Sequence, residues 1–293
     1  MRVVTRPDFD GVVCAVLLMD ALRIDPPVVW AQPSDMQHRR VVVQPGDIIA
    51  NLPFHEKCSL WFDHHYSNRP ATPVEGVFKL APSAAGIIHD HYRSRLDRDY
   101  AELVRQTDRI DSADLTLDEI LHPQNYPHVL LSMTIAGHPA EADYRDRLVD
   151  LLRTRSMSTV IDDPEVRRRC RQVVAANIAY EKALKDHTSL IGQISVTDFR
   201  NLDPVPNGNR FLVYSLFPEC VVNVKIFHEE DQLASIKVGH SILNRGCNVN
   251  VGKMLAAFEG GGHPGAGACC VAREKAPAYL ERILLILQKN IPV

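Results

Sequence analysis

Apolar runs of strand length recur through the first sixty residues of the chain, and three of the four end in polar residues. Residues 2–5, 28–31, 47–51 and 60–62 are each centred on successive hydrophobic side chains, the pattern of strands buried on both faces. Residues 12–22 are apolar over a helical length, so the chain opens strand, turn, helix. The first run leads into Asp8 and Asp10, the third ends at Asn51, and the fourth stops at Asp63-His64-His65. Acids and histidines are costly to bury unpaired. Their place is the carboxyl end of each strand, where open α/β sheets put their ligand crevice.

From Pro82 onward the pattern turns helical. A helix opens at Ser83 and runs through Tyr92, and another spans residues 97–107, ending near Asp108, Asp111 and Asp114. His89 and His91, two apart, do not share a helix face and read as a solvated edge. Residues 139–155 and 164–187 are long helical stretches, the second carrying Arg167, Arg168, Arg169 and Arg171 as a solvated basic face. The texture changes at residues 188–192, which sets the expected boundary between a domain of residues 1–188 and one of residues 189–293. Beyond it, residues 190–197, 210–217, 220–227 and 233–238 read as strands. Residues 249–258 read as a short helix, residues 259–267 as a glycine-rich loop, and residues 276–289 as a closing amphipathic helix. The expected architecture is α/β: an N-terminal parallel-sheet domain plus a smaller C-terminal α/β domain.

Composition narrows the function classes. The formal net charge of -3 over 293 residues argues against a general polyanion binder. No run is long and apolar enough to span a membrane. The first residues enter strand-like sequence without a signal-peptide pattern. The seven cysteines include no CxxC pair, as expected of a reducing cytoplasmic setting. Cys269 and Cys270, adjacent on a strand, should point to opposite faces.

The candidate chemistry gathers at the strand ends. Asp8 and Asp10 are clustered carboxylates, which repel unless a cation or proton sits between them; Asp10 also reads as a helix cap in an Asx turn. Carboxylate oxygen and imidazole nitrogen at Asp63-His64-His65 are a ligand mix that borderline divalent metals accept. Asp108 and Asp111 crowd a helix C-terminus, where negative charge is unfavourable without a positive partner. In the second half, Gly260, Gly261 and Gly262 can form an anion-binding nest, with His263 as a donor or proton-transfer group.

Taken in order, Asp8-x-Asp10-Gly11, Asn51, Asp63-His64-His65 and Gly260-Gly261-Gly262-His263 resemble the DHH phosphoesterase superfamily with its C-terminal DHHA1 domain, in the exopolyphosphatase-related and oligoribonuclease-like group. The resemblance covers essentially the whole chain. It implies an N-terminal domain carrying two metal ions, usually Mn²⁺, and a smaller C-terminal domain that grips the substrate, with the active site in the cleft between them. By the resemblance, Asp8 and Asp10 are metal-binding carboxylates and His64 is the metal-binding histidine, with Asp63 and His65 beside it. Asp108 matches the last metal-binding acid and Asp111 is its rival. Gly260 to His263 match the substrate loop, and Arg245 falls where relatives place a phosphate-gripping residue. Two positions depart from the pattern. Arg6 and Val4 stand where a histidine is usual, and Asn51 stands where an aspartate usually bridges both metals. Arginine stays protonated and is no metal ligand.

The resemblance therefore implies a metal-dependent phosphoesterase with an altered site. Asp63, His64, His65 and Arg6 form the catalytic group, and Arg6 stands in electrostatically for a missing ion. The expected cofactor is Mn²⁺, one ion or two, with Mg²⁺ as the alternative. The expected substrate is a small phosphate compound such as a nucleotide, polyphosphate or short single-stranded nucleic acid. The rival reading is a non-catalytic nucleotide- or phosphate-binding protein on the same scaffold. Relatives suggest a homodimer.

Overall fold

The computed structural model describes every residue except 38, 136–141 and 293. The chain runs β1 (Val3–Thr5), α1 (Phe9–Leu22), β2 (Val28–Trp30), α2 (Pro33–Gln37), β3 (Ile48–Ala50), β4 (Leu60–Asp63), β5 (Gly76–Phe78), α3 (Ala84–Tyr92) and α4 (Ala101–Asp111). It continues through α5 (Leu117–Leu121), α6 (Pro127–Ile135), α7 (Ala142–Thr154), α8 (Met157–Asp162) and α9 (Pro164–His187). Then follow β6 (Thr188–Ile191), β7 (Ile194–Asp198), α10 (Leu212–Leu216), β8 (Val222–His228), β9 (Leu233–His240), α11 (Val251–Ala256), β10 (Gly260–His263), β11 (Ala266–Ala272) and α12 (Ala276–Lys289). Two compact units result: Met1–Leu115 with Pro123–Gln172, and Thr116–His122 with Val173–Val293.

The first unit is built on a parallel five-stranded sheet of order β2-β1-β3-β4-β5. Its strands are short, but their register is tight. Val4, Ile49 and Trp61 lie side by side and pack with Ala31, Val43 and Leu52 on one face. On the other face Phe62 meets Tyr92 of α3 at 5.8 Å between ring centroids. Helix α1 is apolar nearly all round and buried along most of its length, as a helix covered on every side must be. The register also sets the strand ends. Thr5 and Phe62 flank Ala50 in register, so Arg6, Asn51 and Asp63 emerge at the same edge of the sheet.

Several expectations for this unit are revised. Strand β5 and helix α2 escape the sequence reading, because three and five residues are too few to show a period. Helix α4 begins later than expected and runs through Asp111, so Asp108 and Asp111 sit one turn apart within the helix rather than just beyond its end. His89 is not solvated: its side chain is only 12% exposed. His91 is exposed, as expected, and stacks edge-on against Tyr92 at 4.5 Å. The helical stretch expected from residue 139 has its first residues outside the described ones, and the remainder forms α7.

The second unit holds a six-stranded mixed sheet, β10-β11-β9-β8-β7-β6, parallel only between β7 and β8. Alternate residues Val222, Val224 and Ile226 of β8 and Ala234, Ile236 and Val238 of β9 bury one face against α11 and α12, where Met254, Leu255, Ile283 and Leu287 complete the core. Cys269 is buried and Cys270 exposed, as the period of two requires. Residues 190–197 form not one strand but a hairpin, β6 and β7, turning at Gly192 with φ +60°. Residues 210–217 hold the helix α10 rather than a strand; apolar runs this short do not distinguish the two.

The glycine-rich loop is also corrected. Gly260 to His263 pair with β11 as an edge strand, so part of their backbone bonding goes to the ladder. Glycine is needed there for a close approach. A Cβ on Gly252 of α11 would stand 2.2 Å from the Gly262 carbonyl oxygen. Gly252→Ala is therefore expected to destabilise this unit by about 1–3 kcal/mol through overpacking, read as a lower urea midpoint. Gly261→Ala, whose Cβ would meet nothing within 4 Å, is the control and should leave the midpoint nearly unchanged.

Candidate metal centre

The carboxyl edge of the first sheet gathers nine of the residues singled out from sequence: Arg6, Asp8, Asp10, Asn51, Asp63, His64, His65, Asp108 and Asp111. Asp10 lies in the first turn of α1 and is 2% exposed. Both its oxygens accept backbone N–H bonds from the start of α3, from Ala84 at 3.0 Å and Ala85 at 2.8 Å. The helix N-terminus supplies these donors and a favourable dipole. The Cys14 thiol donates to Asp10 Oδ1 at 3.6 Å.

His64 completes the centre. Its Nδ1 is 3.0 Å from the Ala81 carbonyl oxygen. A carbonyl only accepts, so Nδ1 carries the proton and Nε2 presents a lone pair in the neutral ring. That Nε2 is buried and has no hydrogen-bond partner. It points between two carboxylates, 3.8 Å from Asp10 Oδ2 and 3.4 Å from Asp111 Oδ2. Asp10, His64 and Asp111 thus offer three ligand atoms within 4.8 Å of one another. Three converging lone-pair donors, two of them anionic, repel unless a cation or proton lies among them. The nitrogen and oxygen donors, with no thiolate among them, fit a borderline or hard divalent ion.

The electrostatics carry the same signature. Burial pushes the Asp10 carboxyl up to about 7, with the Asp8 charge adding to it and the Ala85 and Ala84 N–H bonds opposing it. Asp111 is also pushed up to about 7, first by burial, then by Asp10 and Asp8, against the pull of His64. Asp108 sits differently. Ser83 Oγ donates to it at 2.6 Å, and Gly86 leaves room for its carboxylate. Of the two acids on α4, it is Asp111 that the structure brings to His64.

Asp8 is spoken for. Its Oδ1 accepts from Gly11 N at 2.8 Å and from Asn51 Nδ2 at 3.1 Å, and its Oδ2 meets Arg6 Nε at 3.0 Å. Asp8, not Asp10, is therefore the cap of α1. Asn51 follows β3 in the left-handed region, φ +57°, which asparagine tolerates better than most residues. Its amide nitrogen is fixed by Asp8, which leaves Asn51 Oδ1 buried without a partner.

Asp63 is fully buried and positions its neighbours. Oδ1 meets His65 Nδ1 at 2.8 Å and Oδ2 accepts from Asn68 Nδ2 at 2.7 Å. Burial pulls the His65 imidazole down, but the bond to Asp63 and its charge more than offset this and leave it raised. Arg6 and Asp111 also act on His65, in opposite directions. Asp63, His64 and His65 form a second group of potential ligand atoms. Arg245 and the Gly260 to His263 strand belong to the second unit. There Arg245 is exposed and its Nε reaches the Ile242 carbonyl at 3.4 Å.

The sequence reading missed Ala81, Ala84, Ala85 and Asn68, all of which hold a site side chain. Ser83 was the available signal, because an N-cap there aims the free N–H groups of the next residues outward.

No family model and no curated protein matches the chain. Among solved structures it is similar to a pGpG-specific phosphodiesterase, PggH, from Vibrio cholerae, with 27% identity, 99% of each chain covered and a TM-score of 0.82. RecJ from Thermus thermophilus in complex with Mn²⁺ shares 13% identity and a TM-score of 0.58; all of this chain is matched, against 53% of RecJ. An exopolyphosphatase-related protein from Bacteroides fragilis shares 9% identity and a TM-score of 0.55, over 96% of this chain and 90% of that one. The likeness over the whole chain supports the DHH superfamily. The chain's DHH corner is Asp63-His64-His65, at the end of β4. Among the described residues, no helix is long and apolar enough to cross a membrane.

The raised carboxyls predict a pH response. Groups whose folded-state pKa lies above the unfolded value stabilise the fold at low pH and lose that contribution as pH rises through about 7. Metal-free protein in chelator should therefore melt several degrees lower at pH 8 than at pH 5.5, a loss on the order of a few kcal/mol. Mn²⁺ should reverse the trend, because ligands must be deprotonated to bind it. Differential scanning fluorimetry reads both, and Asp10→Asn with Asp111→Asn should flatten the pH slope.

Proposed function

We propose that this chain is a metal-dependent phosphoesterase that hydrolyses a small phosphate compound, with a dinucleotide monophosphate of the pGpG kind as the first substrate to try. The observation that carries the reading is the unpartnered His64 Nε2, aimed between the Asp10 and Asp111 carboxylates. The likeness to PggH over 99% of both chains supports the substrate class. The RecJ structures with Mn²⁺ and with Mg²⁺ support the metal class.

Asp10, His64 and Asp111 are the ligands in this reading, and one firmly bound Mn²⁺ or Mg²⁺ is the cofactor. A divalent ion there supplies charge neutralisation and a water of lowered pKa. The chain's own residues do the rest. Arg6 is fixed by Asp8 and presents its remaining guanidinium N–H groups to a phosphate oxygen. The Arg6 and Asn51 bonds to Asp8 supply, without a second ion, the positive partner that Asp8 would otherwise need. His65, oriented by Asp63, holds a proton within the site and is the candidate proton-transfer group. By the resemblance, Arg245 and His263 are the candidate phosphate-binding residues of the second unit.

Metal analysis after equilibration with Mn²⁺ and removal of excess should give one ion per chain. Asp111→Asn should abolish it and Asp108→Asn should keep it; two ions in the wild type would overturn the ligand assignment. With pGpG as substrate, Arg6→Ala should lower kcat roughly 10²–10³-fold, the range for a lost electrostatic stabiliser, with metal content unchanged. The neutralised Asp8 also suits a non-catalytic nucleotide-binding protein. Tight pGpG binding with no turnover in the metal-loaded protein would establish that reading instead.

A further inference from the structure

The second unit carries a pair of lysines that no acid answers among the described residues. Strands β8 and β9 run antiparallel, and Lys225 stands directly opposite Lys237. Like charges at directly opposed positions destabilise a sheet. Among the described residues the ion-paired lysines are Lys182, Lys185 and Lys275; neither Lys225 nor Lys237 is among them. Lys225 is half-buried and makes one hydrogen bond, donating from Nζ to the Tyr180 hydroxyl at 3.2 Å. Its Nζ also lies 5.5 Å from the centre of that ring. Lys237 is exposed, with Nζ 4.9 Å from the centre of the Phe227 ring.

The surroundings hold these groups in place. Tyr180, on the part of α9 that belongs to the second unit, is 3% exposed. It meets Phe199 edge-on at 6.0 Å. Its hydroxyl accepts from Lys225, so its own proton is free to be donated onward. Burial, and then the Lys237 charge, pull the Lys225 ammonium down to about 8. The environment thus penalises the cation twice and offers one neutral oxygen in return.

We propose that Lys225, Lys237 and Tyr180 bind a phosphate dianion, either free or as the terminal group of a nucleotide. An ammonium carries three N–H donors, and Lys225 spends one. The remaining donors of two ammoniums carried by directly opposed residues, with the proton of the phenol to which one of them is hydrogen-bonded, match the several terminal oxygens and double charge of a phosphate. A carboxylate brings one charge and leaves one ammonium uncompensated. Lysine binds phosphate as a point charge, so no planar fork is required. The site uses no carboxylate and no histidine, so it draws on none of the residues of the metal centre.

The test uses the full chain stripped of metal and kept in chelator, with inorganic phosphate as the probe and the phosphorus-31 linewidth as the readout at neutral pH. Wild type should broaden the line in a saturable way. Lys237→Gln, at an exposed position that does not threaten the fold, should weaken binding roughly tenfold, the usual effect of losing a hydrogen bond between charged groups. Lys225→Met combined with Lys237→Gln should abolish it. Lys237→Gln should also unfold at an equal or higher urea midpoint than wild type, since it removes a repulsion. No saturable broadening in wild type, or equal broadening in Lys237→Gln, overturns the proposal, as does loss of binding in Arg245→Ala alone. Competition by GMP separates the two sources: displacement at concentrations below the phosphate dissociation constant assigns a nucleotide, and weaker displacement assigns free phosphate.

Discussion

The first unit is arranged around one buried carboxylate. Asp10 is removed from water at the start of α1, and an ionised group in that position is tolerable only with donors and positive charge around it. The backbone of α3 supplies the donors at Ala84 and Ala85, which ties α1 to α3 across 74 residues of sequence. The positive charge is not supplied. His64, the nearest side chain able to provide it, is oriented by the Ala81 carbonyl so that it offers a lone pair. Asp111 then adds a second acid. The centre is a deficit of one cation, built into parts held by backbone bonds.

That deficit has a resolved counterpart at the same sheet edge. Asp8 is a similar acid, yet each of its oxygens is engaged, by Arg6, Asn51 and the Gly11 N–H. One carboxylate of the original pair is thus neutralised within the chain and the other is left to an exogenous charge. The difference follows from two residues, Arg6 and Asn51, at the ends of neighbouring strands. Asp63 serves a third role, as an orienting group with both oxygens engaged by His65 and Asn68.

The second unit shows the converse imbalance. Its apolar core is regular, with alternate residues of β8 and β9 facing α11 and α12. The other face of the same strands presents two lysines that no acid pairs with among the described residues. The glycine strand at the sheet edge is explained by steric approach, since Gly252 and the Gly262 carbonyl leave no room for a side chain between them. Its glycines therefore have a packing reason to exist, whatever else they contact.

Much of this was legible in the sequence, because it is written in short-range pattern. Consecutive apolar residues marked β1, β3 and β4, long amphipathic stretches marked α9 and α12 to the residue, and polar residues at strand ends marked the edge where the site lies. The order of the motifs alone resembles that of the superfamily. What the sequence left open was whatever depends on direction. Asp108 and Asp111 lie about one turn apart on one helix, and which of them meets His64 depends on how α4 packs, not on residue type. Asp8 rather than Asp10 became the helix cap because the chain turns earlier than composition suggests. The glycine run reads as a loop from its composition and becomes a strand because β11 offers it a partner. Pairing across a sheet, like the opposition of Lys225 to Lys237, is set by register between distant segments, and only the tertiary structure fixes that register.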